Sequence, residues 1–410
     1  MRFVIYLFIL FCFFPYIDIF QLGTDTQPNA LLLGLVLLFG ISDKRINAPL
    51  ILLWVVFFLS ISLVFFNKVT VFEFFKNTLN YLSPPLIATI TYWILHQLKY
   101  KVSFKFFIGA MLTIAFVGLI QLYVLPDFGA ALINMNRGVL ENGRGVVSLF
   151  SEPAFYGTTC LFFMAFSLLY FSKRQNYIAI PLLIFQLVFI SRSATAIAIF
   201  LLAFGLFVVI QMCRFKFHYL LGSVVATLLV SSIALSYWNK IEHTRAGLLA
   251  QTFIENPLLV TKIDGSVGIR FTGTVAPFLA MKHHYFMPQG LGYYREFLTE
   301  FRRKGLYDNF LTIHRIEKKP RLSGGINMVL YQLGFIGLIF PFAIYLAFRG
   351  QLKEGPALLA FLFLVVSMMT QIQMMNAMIG FVIGTAIYRG KLNTMEGKED
   401  KIGVDSLGTN

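Results

Sequence analysis

The sequence contains little charge and little cysteine, and each shortage excludes a class of protein. Only 13% of the 410 residues are charged, whereas 58% are hydrophobic, which is more than an ordinary soluble domain carries. The three cysteines, Cys12, Cys160 and Cys213, lie within or at the edge of apolar runs. They therefore offer no disulfide framework and no thiolate metal cluster.

Motifs that hold metals or nucleotides are also missing. The sequence has no D-x-D pair to hold a divalent ion on a nucleotide-sugar and no phosphate-binding P-loop. His283 and His284 are adjacent, so on a helix their side chains would point about 100° apart and could not clamp one metal ion. These absences argue against a metal-dependent transferase that uses nucleotide-sugars. We expect no metal and no cofactor.

The chain does contain a series of apolar runs long enough to cross about 30 Å of hydrocarbon. Because backbone groups in lipid must be paired within their own segment, these runs predict helices. The first run has no small-x-small cleavage site, so we interpret it as an uncleaved span. We predict an all-α, polytopic transmembrane bundle of about twelve spans. The predicted spans are 3–20, 29–41, 48–66, 78–97, 106–125, 153–171, 177–190, 194–212, 218–237, 324–347, 356–370 and 375–388.

The basic residues indicate the orientation of these spans. With the N-terminus in the cytoplasm, 16 lysines and arginines fall in cytoplasmic segments and 5 in short outer loops, as the positive-inside rule requires. We therefore predict a multi-pass protein of the bacterial inner membrane with both termini in the cytoplasm. Residues 1–237 would hold spans one to nine, and residues 324–388 the last three. Residues 389–410 would form a disordered cytoplasmic tail.

The segment 238–323 would be a large loop outside the membrane. It carries 13 basic and 7 acidic residues, and its length means that its charge does not decide the topology. Helix-like stretches at 241–260, 273–284 and 293–304 alternate with glycine and proline breaks. We therefore predict a folded cap over the membrane. The alternative for its charge is a solvated loop near anionic headgroups.

The first outward cluster covers residues 143–154, where Arg144 and Glu152 flank a short apolar stretch. Pro153 suits the first turn of a helix, and Glu152 would lie at the positive end of that helix. Two interpretations stay open. Glu152 either caps the helix with Arg144 as its counter-ion, or takes part in chemistry.

Two further clusters carry arginines. Arg192 lies in a turn, 191–195, close to the hydrocarbon, where an unpaired charge costs up to about 3 kcal/mol. It needs a carboxylate, an anionic ligand or a lipid phosphate. Arg270 lies in the glycine-flanked segment 265–271, whose glycines either allow a close approach of backbone to a ligand or simply form a turn. Its guanidinium suits phosphate oxygens. A glycine-rich segment at 288–294 follows it.

In their order and spacing these segments resemble the O-antigen and capsule polymerases of the Wzy type, within the O-antigen ligase superfamily. The polymerases carry a segment similar to 144–153. The superfamily has a turn similar to 191–193, and an arginine followed by P-x-G-x-G, similar to Arg270 and 288–292. A span then begins in a manner similar to 327–337. Ligases have a histidine immediately before that asparagine, whereas this chain has Ile326, which favours the polymerase branch.

The resemblance implies a GT-C-like fold and a metal-independent glycosyl transfer at the outer face of the membrane. A glycan on undecaprenyl diphosphate would be transferred to an incoming lipid-linked repeat unit, so the partners are that donor, that acceptor and the bilayer. A chain-length regulator and a flippase are further implied partners, and no nucleic acid is expected. Arg192 and Arg270 would neutralise the diphosphate, and we assign Glu152 as the catalytic base. The expected substrate-binding residues are Arg144, Gly290, Gly292, Tyr293 and Asn327.

Two other functions, and a non-catalytic membrane component, stay open at this point. A flippase or transporter of lipid-linked oligosaccharides would also have about twelve spans, although such proteins tend to carry internal repeats and ionisable residues in mid-span. An O-antigen ligase is the other alternative. Size analysis of the glycan separates all three.

Overall fold

The computed structural model describes residues 1–19, 26–41, 45–63, 70–133, 145–214, 245–256, 259–260, 265–291 and 324–407. This part of the chain is built from helices, and the all-α prediction is confirmed for it. Four helical stretches are long and apolar enough to cross a membrane, namely Phe104–Tyr123, Pro153–Tyr170, Ala194–Cys213 and Gly325–Gln351. The total of about twelve spans stays a prediction.

Helices lie at eleven of the predicted spans, and the ninth, 218–237, is outside the described residues. The helices at these spans are α1 (Arg2–Phe13), α2 (Asn29–Gly40), α3 (Ala48–Ser62), α4 (Val71–His96), α5 (Phe104–Tyr123), α6 (Pro153–Tyr170), α7 (Lys173–Phe185), α8 (Ala194–Cys213), α11 (Gly325–Leu333) and α12 (Ile339–Phe348), which share one predicted span, α13 (Gly355–Thr370) and α14 (Ala377–Leu407). Two more helices, α9 (Arg245–Glu255) and α10 (Gly265–His283), lie in the predicted loop 238–323. A π-helical turn, Gln186–Ile190, continues α7, and a 3₁₀ turn, Gly334–Leu338, joins α11 to α12.

The first helix is shorter than the predicted span 3–20. It ends at Phe13, and Pro15 follows, because proline disfavours the helical conformation of the residue before it. Beyond the proline the chain turns, and the backbone N–H of Asp18 donates to the carbonyl of Leu132 at 2.8 Å. The last helix differs in the opposite sense. It continues to Leu407, into the segment expected to be a disordered tail, where helix-forming residues are frequent and proline is absent.

The predicted span 324–347 is a broken helix. Gly334 has a φ of 57°, which glycine adopts without strain. The segment 286–290 docks at the break. The N–H of Phe335 donates to the carbonyl of Phe286 at 2.9 Å, and the N–H of Gly290 donates to the carbonyl of Gln332 at 3.0 Å. Backbone groups that the break would leave unpaired are thereby bonded, as membrane-embedded backbone requires.

Helix α6 lies at the centre of the bundle, where α7, α8, α13 and α14 pack around it. Of its apolar stretch 72% is buried, against 28% for α8. The exposed apolar surface of α8 is therefore available to lipid.

Among the described helices, α4 and α14 pack against each other most extensively. The pair Gly380 and Gly384 forms a G-x-x-x-G motif, in which small residues let two backbones approach. A Cβ atom added to Gly384 would lie 2.6 Å from the carbonyl oxygen of Ala88. The contact leaves no room for a side chain.

We expect Gly384→Leu to destabilise the protein by about 3 kcal/mol, because it forces apart a contact between two backbones. The measurement is the midpoint of thermal unfolding in detergent. Gly205→Leu is the matched control, since a Cβ at Gly205 meets nothing within 4 Å and the variant should unfold as the wild type does. Equal midpoints for the two variants would contradict the proposed packing.

The segments predicted to be cytoplasmic lie together at one end of the bundle, which we call the basic end. Four hydrogen bonds connect these segments, or the helix ends next to them, to one another. The donors and acceptors are Trp93 Nε1 to Arg45 O, Val102 N to Tyr170 Oη, Arg214 Nη1 to Leu352 O, and Arg389 Nη2 to Glu354 Oε2. Met1 packs against Gly40 at the same end. The candidate site lies at the opposite end, which we call the site end.

Candidate functional site

The segment that leads into Glu152 is an irregular stretch of chain buried in the bundle. Residues 145–151 are all buried, so the polar backbone groups of this stretch need hydrogen-bond partners within the protein. Gln121 of α5 provides such partners. Its Oε1 accepts from the N–H of Ser148 at 2.7 Å, and its Nε2 donates to the carbonyl of Ser148 at 3.0 Å. Gln121 therefore sets the position of the segment.

The turn that carries Arg192 packs directly on this segment. The N–H of Val146 donates to the carbonyl of Ile190 at 3.4 Å. A Cβ atom at Gly145 would lie 1.8 Å from the carbonyl oxygen of Ser191, so only glycine can occupy that position. The first two sequence clusters therefore form one structural unit.

Glu152 occupies the N-cap position of α6, but its side chain makes no capping hydrogen bond. Its Oε2 instead lies 3.8 Å from Nη2 of Arg270. At this distance the two groups form an ion pair without a direct hydrogen bond. The two side chains are about one-fifth exposed, at 23% and 18%. The carboxylate thus faces a cation across a gap at the positive end of a helix.

Arg270 also contacts the turn of Arg192. Its Nη1 donates to the hydroxyl of Thr195 at 2.8 Å, although the two residues are 75 positions apart. One guanidinium therefore lies between Glu152 and the first turn of α8. The three sequence clusters meet at this point.

The glycines of 265–271 do not form a turn, because Arg270 lies inside α10. The small residues of this helix have a different use. Gly268, Thr272, Gly273 and Ala280 are buried on it, and α10 packs on α11 and α13. Small residues permit this close packing of helices. The predicted loop helix at 273–284 accordingly starts earlier, at Gly265, and the predicted helix at 293–304 lies outside the described residues.

Arg192 is exposed and has a φ of 45°. Its Nε donates to the carbonyl of Phe189 at 3.1 Å, and no described carboxylate forms an ion pair with it. Its place three residues before Thr195 brings it to the same end of the bundle as Arg270. A diphosphate shared by the two arginines stays a prediction.

Asn327 is fully buried and holds the end of α13. Its Nδ2 donates to the carbonyl of Met369, which also lies 3.3 Å from the hydroxyl of Thr274. Nearby, the hydroxyl of Thr158 on α6 lies 3.5 Å from Oε1 of Gln371. Asn327 therefore connects α11 to the end of α13, and its role in substrate binding stays a prediction.

Gly290 has a φ of 74° and docks at the far end of α11 from Asn327. Gln332, to which it bonds, is five residues beyond Asn327, or roughly 8 Å along a helix. The remaining predicted site residues, Arg144, Gly292 and Tyr293, lie outside the described residues.

Three polar residues of this region had no assigned role in the sequence analysis, namely Gln121, Thr195 and Thr274. A signal for Gln121 was present, because a side-chain amide within an apolar run is costly unless it is hydrogen-bonded. Thr195 and Thr274 gave no such signal, since a threonine hydroxyl can bond to its own helix.

No family model matches the chain, and no curated protein matches it either. Among the described residues, no group of three or more histidine, cysteine, aspartate or glutamate side chains could hold a metal ion. The site is therefore interpreted from its own residues.

Proposed function

We propose that the chain is a membrane glycosyltransferase that polymerises undecaprenyl-diphosphate-linked repeat units into O-antigen, capsule or exopolysaccharide. One observation carries the proposal. Glu152 and Arg270 face each other at the site end, and the turn of Arg192 packs on the segment that leads to Glu152. The resemblance of segments 144–153, 191–193, 270–292 and 327–337 to the Wzy-type polymerases supports the same function.

In this reaction a hydroxyl oxygen of the acceptor sugar forms a bond to the anomeric carbon of the donor. The bond from that carbon to the diphosphate oxygen breaks, and the diphosphate leaves with the electron pair. The proton of the hydroxyl passes to the carboxylate of Glu152, a positioned general base. Arginine side chains stabilise the charge that develops on the diphosphate.

The gap between Glu152 and Arg270 suits this sequence of events. A diphosphate oxygen that binds Arg270 competes with Glu152 for the same guanidinium. Binding of the donor would therefore free the carboxylate for the acceptor hydroxyl. Thr195 would hold Arg270 in place through its hydrogen bond to Nη1.

The proposal places the reaction on the outer side of the bacterial inner membrane. The basic segments at the basic end are expected to face the cytoplasm, which puts Glu152 and Arg270 outside. The donor and acceptor would both be lipid-linked glycans in the outer leaflet. The flippase that delivers them and a regulator of chain length are the proposed protein partners.

Deletion of the gene, followed by size analysis of the glycan, tests this function. We expect the single-repeat glycan to persist and the long chains to disappear, and expression of the wild-type chain to restore them. A flippase would instead lose every form of the exported glycan. Loss of a ligase would leave long chains on their lipid carrier, and either of these results would contradict polymerisation.

A further inference from the structure

A cavity of about 520 Å³ lies at the basic end of the bundle, far from Glu152 and Arg270. It is formed by the N-terminal side of α5, the end of α6, the start of α7, and α14. Two cations line it, Lys101 and Arg389, and their polar neighbours include Tyr170 and Gln175. None of these residues has a role in the proposed glycosyl transfer.

The charge of the cavity is positive on balance. Nη2 of Arg389 lies 2.6 Å from Oε2 of Glu354, and Nη1 donates to the carbonyl of Leu169 at 2.8 Å. Arg389 is therefore held in place, and part of its charge is neutralised. Lys101 is exposed and forms no ion pair with a described carboxylate. It supplies the cation that a ligand can reach.

The cavity has apolar walls as well, from Phe104, Leu169 and Leu392. Its depth in the membrane follows from α6, whose 18 residues end at Tyr170. A helix of this length spans about 27 Å, close to the thickness of the hydrocarbon, so the residues at its end lie at the level of the lipid headgroups. Apolar walls beside a cation at that level fit an amphiphile.

We propose that this cavity binds the phosphate headgroup of an anionic phospholipid. Lys101 pairs with the phosphate, and the apolar walls contact the first carbons of the acyl chains. Basic pockets between transmembrane helices on the cytoplasmic side are sites of this kind. The proposal is independent of the enzymatic function.

The test measures binding of fluorescent phosphatidylglycerol to the purified full-length protein in detergent. We expect Lys101→Gln to weaken binding about fivefold, the effect of one basic side chain near an anionic lipid. Lys105→Gln is the matched control. It removes the same charge four residues later, in the first turn of α5, at an exposed residue outside the cavity, and should bind as the wild type does.

Two further ligands identify the source of the phosphate. Phosphatidylcholine should bind more weakly than phosphatidylglycerol, because its headgroup carries no net charge, and glycerol phosphate should fail to displace the lipid at equal concentration. Equal binding of the two lipids, or equal affinity of the Lys101 and Lys105 variants, would overturn the proposal. Displacement by glycerol phosphate would assign the site to a soluble phosphate and overturn the lipid.

Discussion

Replacement of Glu152 by glutamine should abolish the long glycan chains while leaving the protein at its normal level. The substitution keeps the shape of the side chain but removes its ability to accept a proton, and a positioned general base contributes about 10²- to 10⁴-fold to a rate. No capping hydrogen bond is lost, because Glu152 makes none. The measurement is the length of the glycan chains at matched protein level.

Glu73→Gln is the control for this experiment. Glu73 is also a carboxylate at the start of a helix, where it forms a capping box with Thr70, and glutamine can replace glutamate in such a box. We expect wild-type chain lengths from it. Full-length glycan from a well-expressed Glu152→Gln variant would rule out Glu152 as the base.

Replacement of Arg270 by lysine should reduce polymerisation by about 100-fold, the loss typical for one donor to a developing negative charge. The arginine contacts Thr195 through one nitrogen and faces Glu152 through the other. A lysine keeps the charge but has a single ammonium group, so it cannot span both positions. Glycan chain length at matched protein level is again the measurement.

Arg192→Lys and the double variant test whether the two arginines act on one diphosphate. If they do, the double variant should be little worse than either single variant, because residues that act as a unit are not additive. Thr195→Val removes only the hydroxyl that holds Arg270 and should cause a smaller loss. Wild-type chain lengths in both single variants would contradict the shared site and leave Arg192 as an anchor to lipid headgroups.

The helices could be predicted from the sequence because the length of an apolar run is a local property. Arg192 could be named as a candidate for a similar reason, since a charge beside hydrocarbon needs a partner. Glu152 and Arg270 could be named because they lie in segments that resemble those of the Wzy-type polymerases. Their arrangement could not be derived. The hydrogen bond between Arg270 and Thr195 depends on how α8 and α10 pack. The sequence of neither helix indicates that the other one lies beside it.

Glycines account for two of the errors. Around Arg270 they were compatible with a turn, yet they lie on a helix, because glycine serves both chain turns and close helix packing and only the neighbouring helices decide between them. At Gly334 the reverse occurred. The hydropathy of 324–347 predicted one continuous span. The break at Gly334 is stabilised by hydrogen bonds to Phe286 and Gly290, which lie more than 40 residues earlier in the chain.

The break at Gly334 also imposes an order on biosynthesis. Phe286 and Gly290 are synthesised before Phe335 and Gln332. The segment that contains Phe286 and Gly290 therefore cannot form these hydrogen bonds until the later residues have been made. Likewise, α10 cannot pack until α11 and α13 have been synthesised, because it packs on both. A nascent chain that has inserted only its first nine predicted spans therefore contains Glu152, but Arg270 is not yet fixed beside it. Under the proposed function, activity would therefore appear only late in the synthesis of the chain.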